Sequence, residues 1–121
     1  MNENLTEAKR VIENQFLDIV QDTFLPSEEK LRIILIDKSF VDIRISQKAK
    51  NRFDFHWERR HIDKTFFRFD NFPDTRWKRL KSFPYHLHYE QENKVINAKF
   101  RKSFPFVLID FMEFVRDKIN K

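Results

Sequence analysis

The sequence predicts an α+β fold: an N-terminal helix, a five-stranded, mainly antiparallel β-sheet and a C-terminal helix, with both helices on one sheet face. Three observations carry that expectation. Apolar residues recur at three- and four-residue steps near both ends of the chain. The middle alternates apolar and polar residues in short β-branched and aromatic runs. A length of 121 residues supports one hydrophobic core and not two, so residues 1–121 are read as a single domain.

The elements follow in order. Leu5, Ala8, Val11, Ile12, Phe16, Ile19, Val20 and Phe24 line one side of a helix over residues 5–24. Asn4 with Glu7 three residues later resembles a capping box, and Pro26 is expected to end the helix. Residues 30–36 and 40–46 read as a hairpin around Asp37-Lys38-Ser39. A polar loop then leads to a third strand over 53–58, and a turn at 59–63 to a fourth over 64–70. Residues 71–81 have no periodicity and form a long loop, of the kind that often carries function. A fifth strand spans 82–90, with Pro84 marking an edge or bulge near its start. A charged connection over 91–102 reaches the final helix. There Ser103 is the expected N-cap, Pro105 lies in the first turn, and Phe106, Ile109, Phe111, Met112, Phe114, Val115 and Ile119 form a wide apolar arc.

Composition excludes whole classes of function. With no cysteine there is no disulfide scaffold, thiolate metal site or cysteine nucleophile. With no glycine there is no Gly-rich phosphate loop. No apolar run approaches the ~18 residues of a membrane span, and the polar start is unlike a signal peptide, so a cytoplasmic protein without membrane association is expected. Charge is unevenly spread. Residues 1–43 carry five Lys/Arg against nine Asp/Glu, whereas residues 44–102 carry sixteen against seven. A basic middle points to a polyanionic partner, with a solvated lysine-rich surface as the bland alternative.

Side chains alternate across a strand, so each strand sorts into two faces. One face reads Val41, Ile43, Ile45, then Phe53, Phe55, Trp57, then Thr65, Phe67, Phe69, then Phe83, Tyr85, Leu87, Tyr89. It is nearly all apolar and should lie under the helices. The other reads Asp42, Arg44, then Asp54, His56, Glu58, then Arg68, Asp70, then His86, His88. Three of the four histidines thus fall on the open face. Most aromatics are read as core, and only Phe40, Phe66, Phe72 and Trp77 are placed to stack on a ligand. His86 and His88, two apart on one strand, could share an ion with His56 or Asp70. His-x-His pairs also occur without metal, and the expected site holds neither metal nor cofactor.

The run Phe67-Arg68-Phe69-Asp70-Asn71-Phe72-Pro73-Asp74, followed by Ser82-Phe83-Pro84-Tyr85-His86-Leu87-His88, resembles the TumE family of toxins from prokaryotic toxin–antitoxin modules. That family shows an R-Y-D-N-x-P/A stretch and then a T-F-P-H-H-x-H stretch. Phe53-Asp54-Phe55-His56-Trp57 matches an earlier aromatic–His element, and the resemblance spans residues 30–115. Phe69 stands where the family often has Tyr, and Tyr85 where it often has a first His. His56, Arg68, Asp70, Asn71, His86 and His88 carry over. The resemblance implies a toxin with a cognate antitoxin protein. Small helix-plus-sheet toxins of the RelE/ParE group often cleave messenger RNA, which is an analogy of fold alone.

The resulting expectation is a metal-independent endoribonuclease. RNA carries its own nucleophile in the 2′-OH. His86 and His88 would be base and acid with His56 in reserve, because imidazole titrates near neutrality. Arg68 would offset the developing phosphate charge, and Asp70 would orient a histidine. Asn71 would hold the loop or touch a base, while Arg59, Arg60, Arg76, Lys78, Arg79 and Lys81 would grip the backbone. Two alternatives stay open: a non-catalytic nucleic-acid-binding or antitoxin-interacting module, and a metal-dependent nucleotide-handling enzyme using His86, His88 and Asp70. The acidic N-terminal helix could solubilise the fold, or it could mediate a homodimer.

Overall fold

The computed structural model describes residues 2–49 and 51–121. Helix α1 spans Glu3–Gln15, and the Asn2 carboxamide oxygen accepts hydrogen bonds from the Asn4 and Leu5 amides. The cap is therefore Asn2 and not Asn4. The helix also ends well short of residue 24, because the chain turns at Phe16 (Ile19 N–H to Phe16 O, 3.0 Å) and continues as strand β1, Val20–Ser27. The apolar repeat extended across this turn because Phe16 and Ile19 both still reach the core, whereas Phe24 is largely exposed. Pro26 lies in β1 where the register against the next strand shifts between Phe24 and Ser27, the edge-and-bulge position that tolerates a missing N–H.

Strands β2 (Lys30–Leu35), β3 (Phe40–Ile45) and β4 (Phe53–Arg59) follow. A single-turn helix α2, Arg60–Asp63, connects to β5, Thr65–Asp70. After the loop, which contains a 3₁₀ turn at Thr75–Trp77, come β6 (His86–Glu90), β7 (Val95–Asn97) and α3 (Phe106–Ile119). The sheet has seven strands in the order β1-β2-β3-β4-β5-β6-β7, each antiparallel to its neighbours, and not the five expected. β1 was hidden in the helical repeat, and β7 is three residues inside a stretch that reads as a charged connector. β6 begins at His86, not Ser82, because Ser82–Tyr85 is a turn closed by Tyr85 N–H to Ser82 O at 2.8 Å. Ser103 does not cap α3 through its side chain; Pro105 holds the N-cap position without a side-chain bond.

Both helices pack on the apolar sheet face. Leu5, Ala8, Val11 and Ile12 of α1 and Val107, Leu108, Phe111, Met112 and Val115 of α3 share one core with Ile33, Val41, Ile43, Phe55, Trp57, Phe67, Phe69 and Leu87. Burying each large side chain contributes about 1.5–3 kcal/mol, so the core fixes which face of the sheet is left open. Trp57 carries a polar atom into that core and donates its indole N–H to Ser39 Oγ at 2.9 Å, with Ser39 wholly buried.

Candidate functional site

Register places the polar residues of the open face in rows. One row runs Arg44–Asp54–Asp70–His86–Asn97 across β3 to β7, and the next runs Asp42–His56–Arg68–His88–Val95. Asp70, Arg68, His86 and His88 thus sit on two adjacent strands. They form the floor of a cleft of about 460 Å³. Arg44, Arg52, Arg76, Phe72, Asp74 and Glu92 contribute to its walls.

The two floor histidines are held in one tautomer. His86 Nδ1 lies 3.0 Å from the Pro84 carbonyl, and His88 Nδ1 lies 2.8 Å from the Glu92 carbonyl. A carbonyl can only accept, so each Nδ1 carries the proton and each neutral ring keeps its lone pair on Nε2. His86 Nε2 stands 3.3 Å from Asp70 Oδ1, and the Phe72 amide donates to the same oxygen at 2.9 Å. Both histidines and Asp70 are buried. One donor atom from each of the three lies within 4.8 Å of the others. Burial pushes the His88 imidazole below its ordinary value; the Glu92 carbonyl opposes this and the nearby Arg68 cation reinforces it. Trp77 packs edge-on against His88, with ring centres 6.2 Å apart.

Arg68 reaches over this floor. One guanidinium nitrogen donates to Glu92 Oε2 at 2.6 Å, and Nε lies 4.0 Å from Asp70. Arg76 is paired with Asp74 at 2.6 Å and holds that carboxyl down to about 2. Asp54 makes no ion pair among the described residues. Burial pushes its carboxyl up, Arg44 opposes the shift, and Asp70 adds to it.

Of the residues expected at the site, the fold brings Arg68, Asp70, Arg76, His86 and His88 to one cleft. His56 shares the open face but stacks on Phe66 (5.2 Å between ring centres) and bonds Glu58 at 3.0 Å, outside the cleft. Asn71 holds the loop: its oxygen accepts from the Phe53 amide and its amide donates to the Asn51 carbonyl. Arg59 falls on the helix-side parity, where it pairs with Asp37 and Asp63 and covers Trp57. Arg60 is clamped to Glu58, which it draws down to about 2. Lys78, Arg79 and Lys81 are exposed on the loop and do not line the cleft. Phe66, placed in sequence as a ligand stacker, is buried under Arg60 and Arg68.

Arg44, Arg52, Asp54, Asp74 and Glu92 also line the cleft and were not singled out from sequence. Parity alone put Arg44 and Asp54 on the open face. Arg52, Asp74 and Glu92 come from loops, where no period sorts side chains.

A protein-family model described as Toxin TumE matches residues 3–119. No curated protein and no solved structure matches the chain significantly. No helix among the described residues is long and apolar enough to cross a membrane.

Proposed function

The chain belongs to the TumE toxin family, and we propose that it exerts its toxicity by cutting RNA in the cleft on the open sheet face. Membership in a toxin family implies an antitoxin partner. The observation that carries the RNA reading is the convergence of Arg68 and three further guanidiniums on a floor with two imidazole Nε2 atoms and a carboxylate.

Cleavage needs three services at the phosphate. The guanidiniums of Arg68 and Arg76 hold the phosphate oxygens and offset the charge that builds in the transition state, provided Glu92 and Asp74 release them. The floor receives the 2′-OH proton. The leaving 5′-oxygen needs a proton from the far side, because attack and departure at phosphorus lie roughly in line. His86 and His88 stand two residues apart on one strand with ring centres 5.1 Å apart, so together they serve one side. Asp54 lies two strands from β6, roughly 10 Å across the sheet. Its burial favours the protonated form, and it supplies the other side. This division replaces a split of acid and base between His86 and His88.

The test uses purified protein and end-labelled RNA beside the same oligomer with 2′-deoxy sugars. Cleavage of RNA alone, with cyclic phosphate ends, and its loss in folded His88→Ala are expected. Undiminished cutting by that variant, or equal cutting of the deoxy strand, refutes the reading.

A further inference from the structure

We infer that Asp70, His86 and His88 form a binding site for one divalent transition-metal ion of the zinc class, which is the working floor of the cleft. The inference rests on the RNA-cleaving reading for its purpose but on separate observations for its existence.

The first observation is spacing. One donor atom from each residue lies within 4.8 Å of the other two, and His86 Nε2 and Asp70 Oδ1 are 3.3 Å apart. Two ligands roughly 2.1 Å from a shared tetrahedral ion stand about 3.4 Å apart. A shift of the His88 ring would bring the third donor to the same spacing.

The second is orientation. A metal-binding histidine commonly gives its other N–H to a carbonyl or carboxylate, which fixes the ring and leaves one lone pair for the ion. His86 does this through the Pro84 carbonyl and His88 through the Glu92 carbonyl. Two rings on one strand have the same arrangement, and each lies just 3% exposed.

The third is charge. The cleft lining carries four arginines but five carboxylates, Glu29, Asp54, Asp70, Asp74 and Glu92. With Asp54 protonated, the other four carboxylates cancel the four guanidiniums, so the cleft without an ion offers no net positive charge to a phosphate. A divalent ion on the floor supplies it. Two imidazoles and one carboxylate suit zinc-class ions, whereas magnesium prefers oxygen ligands and a larger share of water. Three protein ligands leave room for water and a phosphate oxygen, and a water on such an ion loses its proton near neutrality. That bound hydroxide is then the group on the floor that takes the 2′-OH proton.

The experiment is titration of chelator-stripped full-length protein with zinc chloride by calorimetry, with a chromophoric chelator as competitor. One equivalent is expected to bind, with an affinity loss of an order of magnitude or more in His88→Ala and in Asp70→Asn. Because a variant could misfold, imidazole ¹⁵N spectra of the unaltered protein provide a second readout. Zinc should move the Nε2 signals of His86 and His88 and leave His61 in place. Absence of one-to-one binding, binding unchanged in both variants, or unmoved Nε2 signals overturns the site. RNA digestion run in parallel separates the two claims. Zinc binding without any RNA cleavage leaves the metal site standing and refutes the ribonuclease. Cleavage that persists in excess chelator overturns the working metal floor and keeps the ribonuclease.

Discussion

Removing the hydroxyl of Ser39 should destabilise the fold far more than the loss of one oxygen atom suggests. Ser39 is 0% exposed; its Oγ accepts the Trp57 indole N–H at 2.9 Å and donates to Asp37 Oδ1 at 2.5 Å. Ser39→Ala leaves the Trp57 N–H buried with no acceptor, which costs about 1–3 kcal/mol. The Asp37 carboxylate keeps the Ser39 amide (3.0 Å) and Arg59, so its further loss is below about 1 kcal/mol. The expected total is about 1–4 kcal/mol, centred on about 2–3 kcal/mol. For a chain of this length the unfolding entropy is about 0.25 kcal/mol/K, so the melting temperature should fall by about 8–12 °C. Urea unfolding and calorimetry measure the loss, and a double-mutant cycle with Trp57→Phe isolates the bond. Phenylalanine has no N–H to strand, so the double variant should be at least about 1 kcal/mol more stable than the sum of the single losses allows. A loss under about 0.5 kcal/mol in Ser39→Ala, or strict additivity, refutes the reasoning.

Three further outcomes are expected. Glu92→Gln releases Arg68 from its exposed partner, so RNA affinity by fluorescence anisotropy should rise several-fold at low salt while stability changes by less than about 1 kcal/mol; unchanged or weaker binding would count against Arg68 as the phosphate anchor. Glu58 is drawn from 4.5 to about 2 by Arg60, so its contribution is complete above pH 4.5 and is lost as pH falls through about 2. Linkage caps that contribution at about 3 kcal/mol, and the 60% exposure of Arg60 reduces it to about 1–2 kcal/mol. Urea midpoints at pH 5 and pH 3 should converge in Glu58→Gln relative to the unaltered protein, and an equal drop in both would remove the assignment. Asp54→Asn should lower the cleavage rate by about 10²-fold or more and flatten its decline toward alkaline pH, with RNA affinity preserved; an unaltered pH profile would exclude Asp54 as the acid.

How much could be read in advance depended on periodicity. From β3 to β5 the pairing register is unbroken, so Asp54, His56, Arg68 and Asp70 fall on the open face as their two-residue spacing dictates. His86 and His88 kept their parity although β6 starts four residues later than expected, because the Ser82–Tyr85 turn precedes both. Periodicity failed where two patterns overlap, as at Phe16 to Phe24, where a three-to-four-residue repeat continued across a turn into a strand. It also failed where a strand is too short to show alternation, as at Val95–Asn97. Arg59 was misjudged for another reason. A charged residue in a turn looks solvent-facing, yet its odd parity in β4 turns it toward Trp57 and Asp37. Arg52, Asp74 and Glu92 reach the cleft only through the course of their loops.

The segment between β5 and β6 divides the labour of the cleft. The floor belongs to paired strands, where Asp70 faces His86 and Arg68 faces His88 in fixed register. Phe72, Asp74, Arg76 and Trp77 belong to the excursion that joins those strands. On the ribonuclease reading, exchanges in that excursion would alter which nucleotides are admitted, and the Arg76 contact with them, while Arg68, Asp70, His86 and His88 keep their places on the paired strands. On that reading, relatives with the same floor and different excursions should share one chemistry and differ in the RNA sequences they cut.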